Sequence, residues 1–271
     1  MKTRVITGIL MGLFFIPVFV IGSWLLYAVL GIMSVFASYE MMNMIKKGSS
    51  IPNSVFGFAV GYNLIFYLGF IYGIRSGLAF DIILPFIVGL VLVGSIFMVF
   101  VDEMKFDLFA KVVLAILYPV LGFSSLAIIR DEGLALLGLL FVITVSTDVF
   151  AYFVGINLGK HKLAPKISPK KSIEGSLGGL FFAGLFSVLY VWIINYNDIQ
   201  IDVALWVIGV IAIFASLMAQ VGDLVASKMK RTYGIKDFSQ IFPGHGGIMD
   251  RFDSSIFAAM IFVMAYAVGL I

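Results

Sequence analysis

Apolar residues in this chain come in runs of about twenty positions, and polar residues are confined to short stretches between the runs. A helix that crosses a bilayer needs roughly 20 mostly apolar residues. Nine stretches meet that condition: 5–21, 22–44, 54–74, 82–101, 108–129, 134–157, 175–196, 203–226 and 254–271. Only Gly22-Ser23 separates the first two, so eight or ten spans are the alternatives. The pattern predicts an all-α polytopic membrane protein of nine transmembrane helices, with no room for a separate soluble domain. Residues 1–133 read as scaffold, with lipid access or dimer contacts, and residues 134–271 read as the catalytic region. The run behind Lys2 and Arg4 resembles a signal peptide. No small-x-small cleavage site follows it and a second run begins at once, so it is expected to stay as a span.

Composition agrees with the pattern. Hydrophobic residues make up 62% of the chain and charged residues 12%, against about 25% charged in a soluble domain. Mean hydropathy is +1.12. With no cysteine and only two histidines, disulfides, thiolate metal sites and an imidazole-built zinc site are all disfavoured.

The net charge of +3 says less than its distribution. Cytoplasmic loops of membrane proteins collect Lys and Arg. With nine spans and a cytoplasmic N-terminus, every Lys and Arg except Arg75 and Arg130 falls on the cytoplasmic side, and the C-terminus lies outside. An even number of spans spoils this partition. Two polar loops, 158–174 and 227–253, hold most of the basic residues and share that side. Basic residues tied to spans in this way weigh against a nucleic-acid partner and fit a cell-membrane protein whose active site faces the cytoplasm.

Two carboxylates sit inside apolar runs: Asp148 in FVITVSTDVFAYFVGI and Asp223 in IFASLMAQVGDLVASKMK. A charge near the centre of a span costs roughly 2.5–3.5 kcal/mol on insertion scales and marks a functional site by default. The bland alternative for Asp148 is a structural acid satisfied by Ser146 and Thr147. Gln220, Asp223 and Ser227 share one helical face at i, i+3 and i+7, and the same helix leads to Lys230 and Arg231. Asp250 and Asp253 form a second acidic pair in GIMDRFDSS. Asp223 and Asp250 flank one loop, so their helix ends are expected to meet. Two carboxylates brought together repel unless a cation lies between them. Oxygen ligands in small number suit Mg²⁺, which keeps waters and takes further ligands from substrate phosphates.

Loop 158–174 carries Lys160, Lys162, Lys166, Lys170 and Lys171. Its bland reading is a polybasic patch for anionic head groups. Pro165 and Pro169 stiffen it, and Ser168 before Pro169 starts a turn. Ser172 and Glu174-Gly175 then lead into the next span, whose N-terminal N–H groups suit an anion. GINLGKH lacks the spacing of a Walker A loop. Loop 227–253 contains Pro243-Gly244-His245-Gly246-Gly247, a turn that lets backbone approach a ligand closely. His245 reads as a proton carrier, a hydrogen-bond donor or a plain turn residue. Arg251 can bridge two phosphate oxygens.

The segment SKMKRTYGIKDFSQIFPGHGGIMDRFD, Ser227 to Asp253, resembles the signature of the phosphatidate cytidylyltransferase family, also called CDP-diacylglycerol synthases. KHKLAPKISPKKSIEGSLGG and DVFAYFVG are similar to two further stretches of that family, so the resemblance covers about residues 140–255. It implies transfer of a cytidylyl group from CTP to phosphatidic acid, giving CDP-diacylglycerol and pyrophosphate. It implies a divalent metal, Mg²⁺, held first by Asp223 and Asp250, with a second cation such as K⁺ beside it. It places Lys170, Lys171, Lys230, Arg231 and Arg251 on phosphates, with Lys166, Ser168, Ser227, Lys236, Gly246 and Gly247 in the substrate cradle. Asp148 is expected to order a lysine or the metal's waters, and Asp253 and His245 are further candidates.

The alternatives are a CTP-dependent kinase of a long-chain alcohol, a cytidylyltransferase acting on ether lipids, and an ion-coupled transporter using Asp148 and Asp223. Transporters often show repeated halves. No duplicate of the basic loops stands in the N-terminal half. Gly175 and Gly179 form a small-xxx-small pair that fits a homodimer contact or packing within one chain.

Overall fold

A computed structural model describes residues 2–197 and 201–271; the side chains of residues 2–4 and 79–80, which include Lys2 and Arg4 of the charge partition, lie outside the described set. Among the described residues the chain forms helices α1 (Lys2–Ile21), α2 (Ser23–Lys46), α3 (Asn53–Ser76), α4 (Ala79–Phe100), α5 (Phe106–Glu132), α6 (Leu134–Leu158), α7 (Ile173–Tyr196), α8 (Leu205–Thr232) and α9 (Met249–Ala267). Seven of them, α2 to α8, are long and apolar enough to cross a membrane, and α1 contains the shorter apolar stretch Val5–Ile21. Large apolar side chains stay exposed along them, with Leu13 at 68% and Phe100 at 81%. Apolar surface on that scale calls for a lipid solvent, and the chain is a multi-pass membrane protein.

Three local features differ from the sequence expectation. Loop 158–174 is largely an antiparallel hairpin, β1 (Lys162–Ala164) with β2 (Ser168–Ser172). Its strands read Lys-Leu-Ala and Ser-Pro-Lys-Lys-Ser, too short and too polar for apolar alternation, so hydropathy gives no strand signal there. Helix α8 runs to Thr232, six positions beyond the predicted end of its apolar run, so Ser227, Lys228, Lys230 and Arg231 are helical. Helix α9 begins at Met249, ahead of its apolar run, and takes in Asp250 and Asp253.

The chain divides into two compact units, residues 1–127 with 233–251, and residues 128–232 with 252–271. Most of loop 227–253 therefore packs with the N-terminal helices, whereas a division at residue 133 puts it with the C-terminal region.

In the first unit, polar groups stitch helices together inside an apolar core. Buried Ser34 donates to Asn63 Oδ1 at 3.0 Å, and Asn63 Nδ2 donates to the Ile116 carbonyl at 3.3 Å. Tyr67 OH donates to the Tyr27 carbonyl at 2.9 Å. Buried polar groups need such partners, because none can turn to water.

The second unit is built on close backbone approach. Lipid tails give helices no hydrophobic drive to associate, so small residues that bring backbones together matter more. A Cβ at Gly175 would sit 2.5 Å from the Ala151 carbonyl oxygen and 3.0 Å from Gly155 Cα, and one at Gly179 would sit 2.9 Å from the Thr147 carbonyl oxygen. Both glycines are thus spent on α6–α7 packing within one chain, which removes them as support for a homodimer. Thr147 Oγ1 bonds Ser216 Oγ of α8 at 2.7 Å and the Ile143 carbonyl at 2.7 Å. Gly175→Ala is expected to destabilise this unit by about 1–3 kcal/mol through overpacking. A lower thermal midpoint in detergent checks it, and an unchanged midpoint contradicts the packing argument.

Candidate active site

Each unit holds one polar centre. In the second unit, α6, the β1–β2 hairpin and α8 surround a cavity of about 570 Å³, lined in part by Asp148, Tyr152, Lys170, Lys171, Ser176 and Gln220. Lys171, at the end of β2, forms an ion pair with Asp223 Oδ2 from α8. Asp148 on α6 interacts electrostatically with both Lys171 and Asp223. The Lys171 ammonium thus pairs with one carboxylate and attracts the other, which offsets their repulsion. Ser227 Oγ donates to Asp223 Oδ1 at 3.3 Å, one helical turn along α8, and Gln220 Nε2 donates to the Ser176 carbonyl at 3.3 Å. The polar stripe read from the sequence is present. Thr147, expected as a possible partner for Asp148, is instead committed to Ile143 and Ser216.

The hairpin is fixed at its base. Glu174 accepts from the His161 ring Nδ1 at 2.6 Å and from the backbone N–H groups of Lys160 and His161 at 3.1 and 3.2 Å. Ser172 caps α7 by accepting the Gly175 N–H at 3.2 Å. That N–H is therefore not on offer to an anion, as the sequence had suggested for this helix start. What the hairpin presents is its lysines: Lys166 and Lys170 are exposed and Lys171 is partly buried, while Ser168 pairs with Ala164 in the strand register. On α8, Arg231 is exposed but Lys230 is buried at 8%, a poor position for a solvent-facing phosphate contact.

In the first unit, the segment from Phe238 to Asp250 is held by two acids. Asp250 Oδ2 accepts the N–H groups of Phe238 at 2.8 Å and Gly247 at 2.9 Å. Glu40 of α2, 1% exposed, accepts the Ile248 N–H at 3.0 Å, the Met249 N–H at 2.9 Å and the Ser239 hydroxyl. The Pro-Gly-His-Gly-Gly stretch is a tight turn in which Phe242 and Gly246 pair backbone to backbone. Gly244 and Gly246 take positive φ, 77° and 87°, where a side chain is strained. His245 is half-buried and near Gly8 of α1, and its Nδ1 has no hydrogen-bond partner among the described residues. Lys236 and Arg251 are exposed. Asp253, in the second unit, is 8% exposed and accepts the N–H of its neighbour Ser254 at 2.8 Å.

Sequence reasoning missed Glu40. Its signal was an acid in a predicted span, but it stands close to Lys46-Lys47 and so reads as part of the polar edge.

For a divalent metal, no three His or acidic side chains among the described residues cluster into a cage. The acids beside Lys171 supply hard oxygen donors in small number, which fits a cation that keeps waters and draws on substrate phosphates, as Mg²⁺ does. Asp223 and Asp250 fall in different units, so their expected sharing of one cation stands on the sequence.

A helical membrane protein with a partly exposed acid–lysine centre under a lysine-rich hairpin belongs to the class of membrane-embedded enzymes acting on anionic substrates. Comparison makes the class specific. The sequence pattern that defines the Cytidylyltransferase family matches residues 2–268, and the chain belongs to that family. It is 34% identical over 265 residues to a phosphatidate cytidylyltransferase of Staphylococcus saprophyticus, covering 95% of each chain. Proteins of the same name from Staphylococcus aureus and Staphylococcus epidermidis are 33% and 34% identical, again over 95% of each chain. The chain is a nucleotidyltransferase.

Proposed function

We propose that this protein is a phosphatidate cytidylyltransferase, joining CTP and phosphatidic acid to give CDP-diacylglycerol and pyrophosphate for phospholipid synthesis. The observation that carries the reading is the Asp148–Lys171–Asp223 cluster beneath the lysine hairpin, in a chain that matches its named relatives over nearly their whole length. The phosphatidate oxygen is already anionic, so no protein nucleophile is needed. That oxygen forms a bond to the CTP α-phosphorus while the bond to the bridging oxygen of the β-phosphate breaks, and pyrophosphate leaves in line. The protein's work is positioning and charge neutralisation. Lys170 and Lys171 neutralise phosphate charge, and Arg231, exposed near the end of α8, is a further candidate for the same role. Asp223 holds Lys171 so that its ammonium stays in place between substrates. Mg²⁺, held first by Asp223, would supply Lewis-acid stabilisation of the phosphoryl oxygens; a second cation such as K⁺ belongs to the same proposal. Asp250, His245 and Arg251 enter on the sequence pattern of the 227–253 segment. The distribution of basic residues supports nine spans with a cytoplasmic N-terminus, an external C-terminus and a site facing the cytoplasm in the cell membrane.

The test is pyrophosphate release by purified protein in detergent, with CTP, phosphatidate and Mg²⁺ omitted in turn. Release that requires all three is expected. A lipid-alcohol kinase would instead need an alcohol acceptor and yield CDP without pyrophosphate, and no release from folded protein rejects cytidylyl transfer.

A further inference from the structure

Glu40 has no part in the chemistry above, yet it is buried and accepts three hydrogen bonds from distant residues. It is 1% exposed, near the C-terminal end of α2, and about 200 residues of chain separate it from its partners. Its Oε1 accepts the Ile248 N–H at 3.0 Å and the Ser239 hydroxyl, and its Oε2 accepts the Met249 N–H at 2.9 Å. Ile248 and Met249 lie at the start of α9, where helix N–H groups have no partner within the helix and the helix dipole favours negative charge. Glu40 thus supplies, from another helix, the cap that the sequence just before α9 lacks.

The contacts interleave with those of Asp250. Asp250 ties Phe238 to Gly247, and Glu40 ties Ser239 to Ile248 and Met249. Two acids from two helices therefore pin both ends of the 238–249 segment. Gly247 is pressed into this arrangement: a Cβ there would fall 2.2 Å from Glu40 Oε1 and 2.6 Å from Ser239 Oγ. Only a side chain with two acceptor oxygens can serve three donors coming from both sides. A glutamine of the same size has one acceptor oxygen, and its NH₂ would face a backbone N–H.

We infer that Glu40 is a positioning residue for the cytidylyl transfer, acting through the Gly246-Gly247 turn and the first turn of α9 to fix where Asp250 and its neighbours stand. The inference rests on the proposed activity. Small misplacement of a reacting group far from the mutated site can cost about 100-fold in rate. Glu40→Gln is expected to lower kcat by about 10- to 100-fold, with KM for CTP and phosphatidate changed by less than about threefold. Glu40→Asp keeps two acceptor oxygens and is expected to retain more activity than Glu40→Gln, although Gln is closer in size. A role in filling space alone gives the reverse order.

The experiment measures pyrophosphate release of wild type, Glu40→Gln and Glu40→Asp in detergent, with hydrogen exchange over residues 238–250. The wild-type amides of Ile248 and Met249 should exchange slowly, and Glu40→Gln should speed exchange there while leaving α6 and α7 unchanged. Wild type active and Glu40→Gln equally active overturns the inference, as does Gln outperforming Asp. Wild type inactive instead removes the proposed activity and leaves the exchange data to judge the clamp. If Glu40→Gln does not fold, fast exchange of Ile248 and Met249 in wild type still overturns the clamp, and slow exchange there with lowered kcat in Glu40→Asp supports it.

Discussion

Replacing Asp223 by Asn should abolish turnover, with a loss of at least about 1000-fold, while the protein stays folded. The amide has the shape of the acid and can still accept from Ser227, so α8 loses little. What disappears is the negative charge. Lys171 then loses its ion-pair partner, and its ammonium is drawn towards Asp148, the other acid acting on it. Under the proposed reading, a phosphate contact that must sit at one point is displaced, and the proposed metal ligand is lost with it. Pyrophosphate release and thermal midpoint, measured on one preparation, separate the two effects. A midpoint within a few degrees of wild type and no release is the expected pair. Near-normal release would take Asp223 out of the reaction and leave its partnership with Lys171 as structure only.

Lys171→Met is the second large effect. Methionine fills the space of the lysine stem but leaves Asp148 and Asp223 without the cation that acts on both. Like charges then repel in a partly enclosed site, and the positive group proposed to meet phosphate is gone. A fall in turnover of about 100-fold or more is expected. Lys171→Arg should recover only part of it, because a planar guanidinium does not take the place of a compact ammonium against one carboxylate oxygen. Full activity of Lys171→Met would show that the cluster serves folding and not phosphate. Equal activity of Lys171→Arg and wild type would show that charge alone matters there.

Much of this site was legible in the chain because charge in an apolar run is conspicuous. Asp148 and Asp223 stood out for that reason, and the spacing of Gln220, Asp223 and Ser227 on one helical face is realised as a contact between Asp223 and Ser227. The helices were legible too, since a span is set by local hydropathy. The hairpin was not: its lysines carry no apolar alternation, and its register depends on pairing between its two strands. The extension of α8 to Thr232 was hidden because hydropathy marks where lipid ends, not where a helix ends.

The sequence alone determined the solvent, the helical class and the family, because these depend on composition, on runs of twenty residues and on short ordered motifs. It left the partners open. That Lys171 answers Asp223, that Gly175 and Gly179 face α6 of their own chain, and that Glu40 holds residues some 200 positions away are decided by tertiary structure. Each depends on which groups come within contact distance once the helices pack. Burial makes an unmet polar group costly, and only the packed chain specifies which group meets it.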